Sequence, residues 1–534
     1  MRFMWTVTLF AVALAETLWP IPISMHFEGS PIPISRNFSV NSHSDSNLLH
    51  QAINRYLQIF KNSFHSIHAG ANSFEEENRR FLDRSRDQVL QSLEVSTVNE
   101  EERLNSNTSY EYWINVQNMK ASVVGQSVFG AIYGLETFSQ LMVNGSLLHS
   151  TVTVHDKPNY HHRGLMIDTG RRFFPMSLVY NLLDAMSYLK MNVLHFHLSD
   201  YCRFAVESVK FPQLTASLNG QYYKQDDIRA ILEYARERGI RVVPEFDLPG
   251  HSKGLAPLAE DGYLNFCSDN HREIYGDPQN KSLETLQTLL AEMATLFPES
   301  LFDIGCDETA EVGLCTITNI KTLEQQLFDF IYSRLGKVPT AYEEALFKSK
   351  SAKSNVVIQA WESYRAFEVV RQGNKAIEGN GGHFYLSHST VPLSAVWTDI
   401  AYNMTAAGKK LLLGGEISFW TDEYCPNFQC WNETNSHHRN MPVASWMWDS
   451  AHDSIFSQSV GNMIWPRGIA AAGAFWNFNS SLSTSSMDFL TRYHAQNQRL
   501  IERGVISCPS NCTCDTLSKC GKLYPHAVLV NDTK

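Results

Sequence analysis

From residue 158 onward, short apolar strands alternate with amphipathic helical stretches, and this alternation restricts the fold more than any other feature. The strand candidates are 163–168, 193–198, 241–246, 301–305, 339–343, 356–360, 375–378 and 411–416. Between them, Leu178, Leu182, Ala185, Met186 and Leu189 share one helical face. Leu283, Leu286, Leu290, Met293 and Phe297 share another. Strands that alternate with crossover helices run parallel. Eight of them over roughly 340 residues predict an α/β fold of the closed (β/α)8 TIM-barrel type. A doubly wound open sheet is the alternative, but no glycine-rich phosphate loop follows the first strand.

Residues 16–157 read as a separate small α+β domain. Leu49, Ile53, Leu57 and Phe60 give 47–60 helical spacing, and 127–142 reads as a second helix. The aromatic and β-branched runs 112–116 and 151–154 read as strands. Asp156-Lys157-Pro158 marks the boundary, because proline disfavours helix before it. The expected order is a leader over 1–15, the α+β domain over 16–157, the barrel over 158–505 and a Cys-rich tail over 506–534.

Composition narrows the setting. Of 534 residues, 43% are hydrophobic and 12% aromatic, enough for two or three domains with large cores. The net charge of −11, without a dense run of Lys and Arg, argues against a nucleic-acid surface and against an electrostatic hold on a membrane. Arg2, the apolar run 5–14 and Ala13-Leu14-Ala15 fit a signal peptide. That run is too short to span a bilayer, and no later one reaches 18 apolar residues. Nine Asn-x-Ser/Thr sequons, at Asn37, Asn107, Asn144, Asn280, Asn403, Asn432, Asn479, Asn511 and Asn531, agree with the secretory route. So do ten Cys, an even number. Cys425 and Cys430 are close enough for a local loop, and the four Cys after residue 507 suggest a disulfide knot rather than zinc. These features predict a secretory-pathway protein, lysosomal or secreted.

In such barrels the chemistry sits where the strands end. Asp168 ends the first strand, with Arg171 just after; His195, His197 and Asp200 close the second. Glu245, Asp247 and His251 close the third, and Asp303, Asp307 and Glu308 the fourth. Tyr342, Glu343 and Glu344 follow from the fifth strand, Gln359 and Trp361 from the sixth, and Tyr385 from near the seventh. Glu416, Trp420 and Asp422 follow from the eighth. Aromatic rings stack on sugar faces, carboxylates and Arg bond hydroxyls, and paired acids do glycosidic acid/base work. His195 and His197 share one strand face; without an obvious third ligand they read as packed in the barrel interior rather than as a metal pair. No metal and no cofactor is expected.

These residues resemble the family 20 glycoside hydrolases, the β-N-acetylhexosaminidases. The segment 129–140 is similar to the end of that family's N-terminal domain, and 163–171 to its first barrel strand. Val243-Pro244-Glu245-Phe246-Asp247-Leu248-Pro249-Gly250-His251-Ser252 matches its third strand almost throughout. Gly305-Cys306-Asp307-Glu308 matches its Gly-Gly-Asp-Glu apart from Cys306, and Gly414-Gly415-Glu416 with Trp420 fits its last strand. Trp465-Pro466-Arg467 fits the helix after it.

The resemblance implies an exo-acting retaining enzyme without an enzymic nucleophile, the substrate's 2-acetamido oxygen attacking C1. Glu308 is then acid and base, Asp307 holds the acetamido N–H, and His251 tunes Glu308 with Asp200 or Asp247. Arg171 grips sugar hydroxyls. Tyr385 bonds the acetamido carbonyl, and Trp361, Trp420 and Tyr342 wall its methyl group. Asp422 and Trp476 join the substrate-binding set. The acid is expected to have a raised pKa and to titrate between about pH 4 and 7. The partner is a glycan ending in N-acetylhexosamine; the resemblance also points to a homodimer. Cys267 and Cys315 resemble a bridged pair. Cys202 and Cys306 both replace expected residues at the same barrel end, which predicts a disulfide between them. Asp303 replaces a His, Tyr342 a Trp, Ser387 a sugar-binding Asp and Asp422 a Glu. These departures favour the alternative of a lectin-like carbohydrate-binding protein with reduced catalysis on the same scaffold.

Overall fold

A computed structural model describes residues 17–65, 89–268, 273–387, 391–421 and 453–507. The expected leader, Asp422, Cys425, Cys430 and residues 508–534 of the Cys-rich tail lie outside the described residues.

The first part is an eight-stranded sheet. Its strands are β1 (Ser24–Glu28), β2 (Ile32–Ser42), β3 (Leu90–Thr97), β4 (Tyr112–Gln117), β5 (Lys120–Gly125), β6 (Met142–Val143), β7 (Ser146–Leu147) and β8 (Thr151–Asp156). The order across the sheet is β1-β8-β4-β5-β3-β2-β7-β6. The helices Asn47–His65 and Val128–Gln140 pack their apolar side chains on it. Ser127 caps the second helix, its hydroxyl accepting from Gly130 N at 3.1 Å, which satisfies an amide the first turn leaves open. Gly134 lets that helix approach the sheet: a Cβ there would lie 2.5 Å from Val123 Cγ1.

The second part is a closed parallel barrel of eight strands. They are β9 (His162–Asp168), β10 (Val193–His197), β11 (Arg241–Leu248), β12 (Leu301–Gly305), β13 (Val338–Tyr342), β14 (Val357–Ala360), β15 (Ala376–Glu378) and β16 (Leu412–Phe419). The predicted strands agree with these to within one to three residues at each end. β9 to β12 are buried at every position, as expected where helices cover one face of a sheet and a packed lumen the other. Among the described residues no helix is long and apolar enough to cross a membrane.

The small sheet sits against the N-terminal ends of the barrel strands. Tyr110 OH donates to Gly239 O, just before β11, at 3.0 Å. Lys190, just before β10, is fully buried and donates to Tyr112 OH, Thr137 Oγ1 and Asp156 Oδ2 at 2.6, 2.7 and 3.2 Å. Trp476 closes this cluster, giving its Nε1–H to Asp156 at 2.9 Å. Its assignment to the substrate site is therefore incorrect. Trp476 lies in the last turn of the helix Asp453–Asn477, packed on the core of the small domain. The C-terminal strand ends are left clear of that domain.

Candidate active site

At the C-terminal rim, Arg171 organises the side of the site near β9 and β10. Its Nη1 donates to Asp168 at 3.0 Å, and its Nη2 lies 3.1 Å from Asp200 and 3.2 Å from His251 Nδ1. Its guanidinium stacks 5.1 Å over the Trp420 ring. Burial favours neutral Asp200, but Arg171 and His251 hold its carboxyl well below the usual range.

His251 bridges two acids. Its Nδ1 meets Asp200 Oδ1 at 3.3 Å and its Nε2 meets Glu308 Oε2 at 3.2 Å. Asp307 Oδ2 lies 3.7 Å from the same Nε2. Burial opposes the imidazolium, yet Asp200 and Asp307 together raise its pKa to about 10. The cation in turn pulls Glu308 below its ordinary pKa through that hydrogen bond. The expectation of a raised value for Glu308 is thus corrected: its side chain is 55% exposed, so burial is too weak to outweigh the neighbouring charge.

Asp247 and Asp307 are different. Both are buried; Asp307 Oδ1 and both carboxyl oxygens of Asp247 have no hydrogen-bond partner. Desolvation pushes both pKa values up; the nearby Asp307 adds to the rise of Asp247, and Glu245 and Glu308 add to that of Asp307 against the opposing charge of His251. The backbone is bent to present this group. Gly305, Cys306, Glu308 and His251 have φ of 65°, 70°, 45° and 48°. For the three non-glycine residues such a conformation costs about 1–3 kcal/mol each and needs support from surrounding structure. Gly305 cannot be replaced cheaply, since a Cβ would fall 2.1 Å from Asp247 Oδ1.

Tyr342, Trp361, Tyr385 and Trp420 form an aromatic wall. Trp361 and Tyr385 stack at 6.0 Å, and Trp420 lies 6.1 Å from Tyr385 and 6.3 Å from Tyr342. Glu344 stands behind it, accepting from Trp361 Nε1 at 3.0 Å and from Glu308 N at 3.3 Å. Burial and the nearby Asp307 raise its pKa to about 7. The sequence placed Glu344 at a strand end without a role; the signal was the adjacent acid pair directly after Tyr342.

Below the rim the lumen holds a column of alternating charge. His162 and His195 meet the two oxygens of Glu416 at 2.9 and 2.7 Å. Glu245 Oε2 lies 2.9 Å from His195 Nε2 and 2.7 Å from His197 Nδ1. His197 Nε2 reaches Asp200 at 2.8 Å. Despite burial, the charges of His195 and His197 hold Glu245 down to about 2, and the charge of His195 with hydrogen bonds from His162 and His195 does the same for Glu416. Asp303 stands 3.8 Å from His195, and burial with Glu245 nearby pushes it up to about 8. His195 and His197 are packed interior groups, as the strand pattern suggested. Asp168, Asp200, Glu245, Asp247, His197 and His251 bring ligand-type atoms within 4.8 Å in three overlapping trios. His197 turns Nε2 to Asp200 and Nδ1 to Glu245, and these carboxylates raise its pKa well above the usual imidazole value despite burial.

The predicted Cys267–Cys315 disulfide is present, its Cα atoms 5.3 Å apart. The predicted Cys202–Cys306 bond is not. The Cys306 thiol is buried in the layer outside the strands, where burial and Glu324 of the helix Ile317–Ser333 raise its pKa. Cys202 lies in the loop after β10.

Residues 160–479 match the model of the "Glycosyl hydrolase family 20, catalytic domain", and 18–141 match a "beta-acetyl hexosaminidase like" model. The mouse beta-hexosaminidase subunit beta is 30% identical over 76% of this chain and 82% of its own length. Beta-hexosaminidase 1 of Arabidopsis thaliana is 27% identical over 92% and 91%. A Streptomyces plicatus N-acetyl-beta-hexosaminidase structure superposes with a TM-score of 0.69 at 19% identity, covering 93% of this chain and 97% of that one.

Proposed function

Because this chain belongs to glycosyl hydrolase family 20 and is a glycoside hydrolase, we propose that it removes terminal β-linked N-acetylhexosamine with the substrate's acetamido group as nucleophile. The observation that carries this reading is the buried, unpartnered Asp307 Oδ1 beside the half-exposed Glu308. A buried acceptor without a donor is costly, and the acetamido N–H supplies that donor only when substrate is bound.

The residues divide the reaction as follows. The acetamido carbonyl oxygen attacks C1 while the C1–O bond breaks, and Glu308 gives its proton to the departing oxygen. The product of this step is an oxazolinium ion. Asp307 accepts the N–H and balances the positive charge as it develops, in a site with little water. Tyr385 donates to the acetamido oxygen, and Trp361, Trp420 and Tyr342 enclose the methyl group. Arg171, fixed by Asp168 and Asp200, offers its planar edge to the sugar hydroxyls. Water then attacks C1, Glu308 takes its proton, and the bond to the acetamido oxygen breaks. Two inversions at C1 leave the β configuration in place.

The charge on His251 adapts this to acidic surroundings, since Glu308 must be protonated to act. The proposed setting is the secretory pathway, lysosomal or extracellular. It is supported by the leader-like residues 1–15 and by the exposure of Asn37, Asn107, Asn144, Asn280, Asn403 and Asn479, the sequon residues that are described.

The test is hydrolysis of 4-nitrophenyl N-acetyl-β-glucosaminide and its galacto epimer between about pH 4 and 7, beside Glu308→Gln. Wild type should turn over at least one epimer, and the variant should lose about 100-fold or more. Folded wild type inactive on both would overturn the reading. The ratio of the two rates reports how Ser387 and Asp422 treat the sugar.

A further inference from the structure

The reaction described above leaves one cavity beside Glu308 without an occupant. It measures about 310 Å³ and is lined by Glu308, Glu344, Phe347, Lys348, Glu362 and Tyr364. Apart from Glu308, two segments build it, those after β13 and β14. Glu343 fixes the second: its carboxylate accepts from the backbone N–H groups of Trp361, Glu362, Ser363 and Tyr364 at 2.8, 3.3, 2.7 and 3.2 Å. That anchorage sets Tyr364 flat against Phe347, with ring centroids 3.9 Å apart and planes 19° apart. Lys348 is tied down as well, giving its Nζ to Thr309 O at 2.9 Å. Glu362 is exposed, and the contact its carboxylate makes is with the Ser363 hydroxyl at 3.4 Å.

We propose that this cavity seats the leaving-group sugar and that Glu362 makes it selective for an uncharged one. The inference rests on the hexosaminidase reading and extends it to the second sugar. The atom that Glu308 protonates is bonded to both rings. One ring takes the side of Arg171, Tyr385 and Trp420, so the other leaves across Glu308 toward the cavity. A stacked aromatic pair offers a surface for the apolar face of a pyranose, and Glu362 with Ser363 meets its hydroxyls. A uronic acid or sulfated sugar would instead bring a second negative charge to Glu362. Lys348 lines the same cavity, but its ammonium is turned to a backbone carbonyl.

The experiment compares two disaccharides that share a terminal β-N-acetylglucosamine. In one it is linked to N-acetylglucosamine, in the other to glucuronic acid. Wild type should favour the neutral substrate in kcat/KM. Glu362→Gln should narrow that preference by about fivefold, the size of one like-charge contact in water, and Glu362→Lys by about twentyfold, with both effects shrinking as salt is raised. Tyr364→Ala should raise KM for the neutral disaccharide more than for the methyl glycoside, whose small leaving group cannot fill the cavity. A substrate preference unmoved by either Glu362 variant, or equal KM changes in Tyr364→Ala, would overturn the assignment. If wild type cleaves the nitrophenyl glycoside and these ratios stay fixed, the cavity assignment alone falls. If it cleaves nothing, the underlying reading falls with it.

Discussion

The two halves of the barrel lumen hold the same kinds of side chain in opposite condition. In the lower half, Glu416 and Glu245 each lie between two imidazoles at 2.7 to 2.9 Å. At the rim, Asp247 and Asp307 are equally buried, yet three of their four oxygens have no partner. The paired half can be read as structure: opposite charges offset the desolvation that burial imposes. At the rim the two acids face each other instead, and His251, 3.7 Å from Asp307 Oδ2, brings an opposite charge near them. The rim's left-handed residues, His251, Cys306 and Glu308, fall in the same place.

That contrast can be broken by substitution. The largest effect on folding is expected in the lower half. Glu245→Gln strips the shared anion from His195 and His197 and should cost about 3–5 kcal/mol in chemical denaturation. A variant as stable as wild type would show that the column is not held by its charges. At the rim the expectation reverses. Asp307→Asn should fold normally and lose about 10²–10³-fold in kcat, because it removes stabilisation that exists only with charged intermediate bound. An equal loss of stability in both variants would erase the distinction.

A subtler effect should appear at His251. Its cation holds Glu308 below the ordinary carboxyl pKa. Without that cation Glu308 keeps its proton to higher pH, so His251→Gln should move the alkaline limb of kcat/KM upward while lowering kcat. An unmoved limb would mean that another group sets it. The smallest effect belongs to Asp303. Its pKa of about 8 lies above that of an unfolded Asp, near 3.9. The folded chain therefore holds a proton that the unfolded chain releases, and this contribution to stability declines as pH rises from about 4 to 8. Asn mimics the protonated acid and does not titrate. Asp303→Asn should match wild type near pH 4 and exceed it near pH 8 in thermal melts.

How much of this was legible in the sequence depended on range. The barrel strands were readable because each is a short apolar run between stretches of helical spacing, a purely local signal. The residues that the resemblance proposed for the site, Arg171, Asp200, His251, Asp307 and Glu308, lie together at one rim, and each comes within three residues of a strand end. What failed needed geometry across the fold. Trp476 comes eleven residues after Trp465, which on a helix is a descent of about 16 Å. That carries it from the barrel's flank to the small domain. The Cys202–Cys306 bond was inferred from a shared barrel end, but a left-handed φ at Cys306 accompanies a thiol that faces the helix layer. The lowered pKa of Glu308 was also out of reach, because it depends on the 3.2 Å approach of His251 from another strand.

The central claim is that the rim lacks bonding partners because the substrate's acetamido group supplies them. It is tested most directly by comparing 4-nitrophenyl N-acetyl-β-glucosaminide with the plain β-glucoside, which carries a hydroxyl in place of that group. The account predicts turnover of the first and none measurable of the second, with the Asp307→Asn penalty confined to the N-acetyl substrate. Comparable turnover of the plain glucoside would contradict it, and would require a nucleophile from the protein itself.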